Sequence, residues 1–283
     1  GFLETIGVAA GTGARMHMFH INSVAIKRIN AVLPLVKVAQ DKGIRITTEA
    51  YPWGAGSTFI GAPFLQPDKL AQIDMDPSKI MYVKTGERPA TNERLNQLRA
   101  TDPGGLAVVH YLDEQNPEEM KFIDAAILYK DTIIASDAVP YQINSKPYTK
   151  EELPIPPEAY AHPRSAATYS TVLARYVHDQ KSMTLIDAFR RGSLLPANLV
   201  ATSSTDAKFK GRIQAGMDAD IIVFDLEKVK PKATYLDPRQ PAQGMDFVMV
   251  NGQFIIKDGV LLKDSRPGKP IRSTLEKKIN SAS

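Results

Sequence analysis

Histidine, aspartate and glutamate are the side chains through which this chain can hold a metal ion, because it has five histidines and no cysteine. His17 and His20 lie near the end of the strand pattern Arg15 to His20, and His20 takes the last strand position before a loop. A neutral imidazole there can ligate a metal, but both residues also read as polar strand termini, the reading favoured for His17. Asp137 follows the apolar run Thr132 to Ala135, so its carboxylate emerges at the C-terminal edge of a strand. Such a group can ligate a metal and take a proton from water whose pKa the ion lowers to about 7, or it can simply open a turn. Arg164, in His162-Pro163-Arg164, can fork onto a carboxylate or stand as a solvated first-turn cation; a cation at a helix N-terminus opposes the helix dipole unless an anion is near. Tyr51 and Ser57 offer hydroxyls among glycines that permit close backbone approach, as structural turn residues also do. His110 stands at another strand end as a reserve ligand or a polar terminus, and His178 reads as solvated on a helix.

These groups need elements to carry them. The first two thirds of the chain alternate helix and strand patterns as a βα-repeating fold does. A helix over Phe2 to Ala10 ends at Gly11 and Gly13. After the strand to His20, Ser23 is the expected N-cap of a helix from about Val24 to Asp41, which Pro34 bends or breaks. Ile44 to Tyr51 is a β-branched strand. From Pro52 to about Gly105 the chain reads as long loops with one helix near Asn92 to Ala100. Leu106 to Tyr111 and Thr132 to Ser136 are further strands, separated by a helix from about Pro117 to Tyr129. A proline-rich loop, Ala138 to Pro163, precedes helices at about Ser165 to Gln180, Leu185 to Arg191 (introduced by Thr184, with Asp187 three residues on) and from Pro196. Beyond about Ser204 the pattern turns to strands, with Asn251-Gly252 marking a type I′ hairpin. The expected division is therefore 1–205 and 206–283.

Composition limits the classes of function. With 43% hydrophobic and 23% charged residues over 283 positions, the chain reads as a globular protein with a sizeable core. The 35 basic and 31 acidic side chains are scattered, and a net charge of +4 does not argue for nucleic acid. No apolar run approaches the roughly 20 residues needed to span a bilayer. The sequence opens on Gly1 in what reads as the middle of a helix, so an upstream portion is expected and a signal peptide is left open. The expected compartment is the cytoplasm.

Met16 to Ser23, Thr47 to Thr58, Ser136-Asp137, His162-Pro163-Arg164, Gly216 to Asp225 and Val250-Asn251-Gly252 occur together in an order that resembles the N-acyl-D-amino-acid deacylases of the amidohydrolase superfamily, closest to D-glutamate deacylase-like members. The Gly-x-x-Ala-Asp-Ile pattern by itself identifies only the superfamily. The resemblance implies an α/β fold: the C-terminal part of a (β/α)8 TIM-like barrel over 1–205, and the C-terminal strands of a small β-sandwich over 206–283. It implies that His20 is a zinc ligand, that Asp137 is metal-linked and acts as general acid/base, and that Arg164, Tyr51 and Ser57 bind the substrate's α-carboxylate. Asn22, also expected to bind substrate, stands where some D-aminoacylases carry a lysine, Trp53 replaces a more usual tyrosine, and the loop from Asp137 to Arg164 is longer than in the simplest members.

The implied function is zinc-dependent hydrolysis of N-acyl-D-amino acids, with one or two divalent ions. The family's His-x-His motif, bridging cysteine and a further ligand histidine belong to the half that would precede Gly1. That half, another chain or a second copy in a homo-oligomer is the expected partner, because an open half-barrel exposes parallel strand edges. The alternatives are a cyclic-amide hydrolase and a non-catalytic partner subunit.

Overall fold

The computed structural model describes residues 1–150 and 152–274. Its chain begins with α1 (Phe2–Thr12), β1 (Met16–Met18), α2 (Ile21–Ala25), α3 (Ile29–Asp41) and β2 (Ile46–Ala50). An excursion follows: β3 (Ala55–Phe59), α4 (Pro67–Ala71), β4 (Ile80–Tyr82), α5 (Asn92–Thr101) and β5 (Leu106–His110). Next come α6 (Pro117–Leu128), β6 (Ile133–Ile134), the short hairpin β7 (Gln142–Ile143) and β8 (Lys146–Pro147), and α7 (Arg164–Thr171). The chain continues through α8 (Leu185–Phe189) and α9 (Leu195–Val200) to β9 (Ile221–Phe224), β10 (Met245–Val250), β11 (Gln253–Lys257) and β12 (Val260–Leu261).

These elements fall into two compact units. Of the described residues, the first comprises those in 1–129, 136–168 and 233–240; the second comprises those in 130–135, 169–232 and 241–274. In the first, β1 and β2 pair in parallel, with Met16 opposite Ile46 and Met18 opposite Thr48. The connecting helix α3 buries Ile29, Val32, Leu33, Val36 and Ala39, the stripe expected of a helix covering a sheet. Gly13 ends α1 in the left-handed conformation, φ 67°.

Two local expectations need correction. The strand ends at Met18, two residues before His20, and His20 rather than Ser23 is the N-cap, of the short helix α2. Pro34 sits inside α3 without breaking it; the break lies upstream, where Ile26 turns to φ 51° and a 3-10 turn over Ile26–Arg28 separates α2 from α3. The second correction concerns residues 52–105, which are not long loops. They build an antiparallel sheet, order β3-β5-β4, so the Leu106–His110 strand pairs antiparallel on both sides instead of extending the parallel pattern. Its core joins Ile60, Leu65, Leu70, Ile80, Tyr82, Leu95, Leu98, Ala107 and Val109. Each Ile, Leu or Val among them contributes about 1.5–3 kcal/mol on burial.

In the second unit β9 to β12 form one antiparallel sheet, order β12-β11-β10-β9. The β10–β11 turn has Asn251 at φ 46° and Gly252 at φ 79°, the two positive angles a type I′ hairpin requires. Lys210 lies 3.0 Å from Asp218 and 2.8 Å from Asp220, while Asp220 accepts the Asn251 N–H at 2.8 Å. This network ties the Gly216–Asp225 motif to the hairpin. Among the described residues no helix is long and apolar enough to cross a membrane.

The Thr184 hydroxyl accepts the Asp187 N–H at 3.2 Å and caps α8. Replacing Thr184 with Ala should lower the unfolding free energy by about 1 kcal/mol without changing the denaturant slope, and Thr184→Ser should restore most of it. Urea unfolding of the two variants checks this.

Candidate functional site

The segment from Tyr51 to Ser57 carries the chain from β2 into β3. Asn22, 3% exposed, pins its start: the carboxamide oxygen accepts the Tyr51 N–H at 3.4 Å and the amide donates to the Trp53 carbonyl at 3.3 Å. Both ends of that side chain are spent on backbone, so Asn22 shapes the turn that presents Tyr51. Further along, Gly54 donates its N–H to Glu114 Oε1 at 2.9 Å, and β3 then registers Ala55 against His110.

Arg164 opens α7 and is 2% exposed. Its Nη2 meets Asp137 Oδ2 at 2.9 Å, and its guanidinium carbon stands 4.5 Å from the centre of the Tyr51 ring. The Arg164 Nε and Nη1 are buried without a hydrogen-bond partner, as are the Tyr51 hydroxyl and Ser57 Oγ. Leaving such a group unbonded costs roughly 1–3 kcal/mol, more when it is charged. Gly56 shapes this space: a Cβ there would lie 3.0 Å from the Tyr51 hydroxyl, 3.0 Å from the Tyr111 ring and 3.5 Å from Arg164 Nη1. Burial raises the Tyr51 phenol above its ordinary pKa, opposed by the charge of Arg164 and the approach of Ser23 and Arg164, which lie close without completing a hydrogen bond. Burial likewise raises Tyr111, next to the same Tyr51 and Arg164.

Of the residues singled out in the sequence, Arg164 contacts both Tyr51 and Asp137, and Ser57 follows Gly56 in β3. His20 caps α2 two residues beyond β1, half-buried, with Nδ1 3.0 Å from the Ser23 hydroxyl. His20 and Asp137 both adopt left-handed backbone angles, φ 31° and 48°, which non-glycine residues take uncommonly. Among the described residues no three His, Asp or Glu side chains gather as a metal site. His17 is structural, its ring bonded to Thr47 Oγ1 at 2.7 Å and to Glu49 at 3.0 Å. His178 pairs at the surface with Asp179 and Glu227.

Several groups escaped the sequence. His162, fully buried, accepts the Arg164 N–H on Nδ1 at 3.0 Å and thereby fixes the start of α7. Burial, then the charges of Arg164 and His110, hold its pKa well below the ordinary histidine value, so the ring is neutral. Its ring packs perpendicular to Trp53 at 5.7 Å and to Tyr235 at 5.2 Å between centroids. A cavity of about 460 Å3 lies beside them, bounded by Trp53, Arg88, His110, Glu114 and Tyr235 among others. The signal for Gly56 was visible as a glycine beside two hydroxyl residues; Glu114 and Tyr235 carried none, because their contacts span 60 and 121 positions of chain.

Comparison with protein-family models finds no match. Among curated proteins the chain is 31% identical over 118 residues to N-acyl-D-glutamate deacylase of Alcaligenes xylosoxydans xylosoxydans, 42% of this chain and 23% of that protein. It is 26% identical over 246 residues to a D-aminoacylase of the same organism, 80% and 41% respectively. The chain thus spans less than half the length of these relatives. A D-aminoacylase crystal structure superposes with a TM-score of 0.70 at 20% identity, covering 95% of this chain and 52% of that one. An N-acyl-D-glutamate deacylase of Bordetella bronchiseptica, solved with zinc and a phosphonate inhibitor, gives 0.64 at 22% identity, covering 93% and 52%. The resemblance to the N-acyl-D-amino-acid deacylases is borne out over part of those proteins, with a mixed α/β fold in common.

His110 takes an N–H from Arg88 on Nε2 at 2.9 Å, and burial, then the charges of Arg88 and Lys79, lower its pKa from 6.5 to about 4. The unfolded chain therefore binds a proton first as pH falls, so stability present above about pH 6.5 is lost progressively toward pH 4. His110→Gln keeps an acceptor for Arg88 and removes the titration. Its unfolding free energy should fall less steeply over that window than the wild type's, as read by denaturant titration at pH 4 to 7.

Proposed function

We propose that this chain carries part of the active site of a metal-dependent amidohydrolase that cleaves the amide bond of N-acyl-D-amino acids, releasing a carboxylate and a free D-amino acid. The observation that carries the reading is the buried Arg164 guanidinium with Nε and Nη1 unbonded, beside an equally unbonded Tyr51 hydroxyl where Gly56 adds no side chain. Buried donors of that kind call for an anion, and a carboxylate is the anion a guanidinium recognises with directional bonds. Arg164 and Tyr51 would anchor the substrate's α-carboxylate, with Ser57 adding its hydroxyl. Asp137, ion-paired to Arg164, would hold and return the proton exchanged during amide cleavage. Asn22 would act indirectly, through the Tyr51 turn.

Zinc, when bound, would supply a Lewis acid and an activated water. His20 and Asp137 are donors of the types zinc takes, and they would supply two of the three protein ligands of a catalytic zinc. The remaining ligands would come from an N-terminal portion of the same enzyme or from another copy. The same reading assigns 1–205 to the C-terminal part of a (β/α)8 barrel and 206–283 to strands of a small β-sandwich, in a cytoplasmic enzyme.

A second reading, a non-catalytic partner subunit, draws on the lack of three gathered metal ligands among the described residues. The full-length protein distinguishes the two. After exhaustive dialysis it should retain stoichiometric zinc and hydrolyse N-acetyl-D-amino acids but not their L-enantiomers. Arg164→Met should lower kcat/KM by about 10- to 100-fold, the loss expected for charged hydrogen bonds. Gly56→Ala should raise KM, since its methyl group would crowd the Tyr51 hydroxyl. Retained zinc with cleavage of cyclic amides alone would sink the deacylase reading, and absence of both zinc and activity would establish the partner subunit.

A further inference from the structure

We infer that Glu114 and Tyr235 are positioning residues that set the Tyr51–Ser57 segment against Arg164; the inference rests on the carboxylate-anchoring reading of Arg164 and Tyr51. The segment needs two fixed points. Asn22 supplies one near Tyr51. The other is Gly54, whose N–H reaches Glu114 Oε1 at 2.9 Å and whose α-carbon presses so close that a Cβ would meet the Leu112 carbonyl oxygen at 2.6 Å and Glu114 Cγ at 2.9 Å. Gly54 is therefore locked between its own turn and the 112–114 stretch, and a shift of Glu114 moves the segment.

Glu114 is itself held. Its Oε1 also accepts the Tyr235 hydroxyl at 2.5 Å. Tyr235 belongs to the 233–240 stretch, which folds into the first unit although residues of the second flank it in sequence. Three bonds fasten that stretch: Tyr160 donates its hydroxyl to the Tyr235 carbonyl at 3.0 Å, Tyr141 to the Pro238 carbonyl at 2.9 Å, and Arg239 Nη1 to the Ile155 carbonyl at 3.3 Å.

From this anchorage the Tyr235 ring makes edge contacts with Trp53 at 5.6 Å and with His162 at 5.2 Å. Trp53 is part of the segment that carries Tyr51, and His162 accepts the Arg164 N–H. One ring thus touches both halves of the proposed anchor, and its hydroxyl fixes the carboxylate that locks Gly54. Burial and the adjoining Glu114 push the Tyr235 phenol far above its ordinary pKa, so it stays a donor at any working pH. The proposed cleavage assigns neither residue a step, and their contacts give them a part in geometry.

The test uses the full-length, zinc-loaded protein. Steady-state kinetics with N-acetyl-D-glutamate give KM and kcat, and calorimetry with D-glutamate, which is not turned over, gives an affinity independent of catalysis. Tyr235→Phe removes one oxygen and keeps the ring; Glu114→Ala removes the shared acceptor; Glu114→Gln keeps an Oε1 that can accept both bonds. Expected are a roughly tenfold weaker affinity and higher KM for Tyr235→Phe and Glu114→Ala, the loss of about one well-placed hydrogen bond, with kcat within about twofold of wild type. Glu114→Gln should restore both values. Emission from Trp53, the chain's single tryptophan, should shift in the two weakened variants and not in Glu114→Gln. Arg164→Met separates the failures. If it too leaves D-glutamate affinity unchanged, the anchor reading fails; if it weakens binding while Tyr235→Phe does not, only the positioning inference fails. A loss confined to kcat would also overturn the inference. Should Glu114→Ala fail to fold, Tyr235→Phe decides the matter.

Discussion

A guanidinium ion withdrawn from water sets the terms for everything around it. Arg164 is almost wholly buried, and removing such an ion from solvent costs several kcal/mol even after the protein relaxes. One carboxylate, Asp137, offsets part of that cost, and the face of Tyr51 adds a cation–π attraction that reaches about 2 kcal/mol when desolvated. The balance is still incomplete, because two guanidinium nitrogens have no acceptor. An arrangement this unfavourable persists only where the surrounding fold over-determines it.

The fold does over-determine it, through contacts made far apart in sequence. The parallel β1–β2 pair brings Asn22 and Tyr51 together; the antiparallel excursion returns the chain at β5, so that Tyr111 and Glu114 arrive opposite Gly56 and Gly54. His162 caps the first turn of α7 from inside the protein, which turns the side chain at its first residue inward where a solvated cation would otherwise be expected. Asp137 meets it from a left-handed backbone position, a conformation short polar residues tolerate better than most.

Much of this could be read before the structure, and the reasons for the rest are physical. The meeting of Arg164 with Tyr51 and Asp137 joins three residues that stand out in the sequence, since each ends a strand pattern or opens a helix. Thr184 and the Asn251-Gly252 turn were legible because capping and type I′ turns are local chemistry. The β3-β5-β4 sheet was not: Ala55-Gly56-Ser57-Thr58-Phe59 is poor in β-branched residues, Ile80–Tyr82 is only three residues long, and the sheet exists because Leu106–His110 pairs with both. Tertiary pairing overrode weak local propensity. The end of β1 was misplaced by two residues because His20 looks like a strand terminus in sequence, while its backbone is already turning into α2.

The direction of the unbonded groups also constrains how two negative charges could share one arginine. Asp137 engages Nη2. A Cβ at Gly56 would lie 3.5 Å from Nη1 and 3.0 Å from both the Tyr51 hydroxyl and the Tyr111 ring, so these groups border the unbonded Nη1 side of the guanidinium. A second anion bonded at Nη1 would sit on the arm of the fork next to the one Asp137 engages. Each anion would keep its own attraction to the guanidinium, and the repulsion between the two like charges would offset part of it.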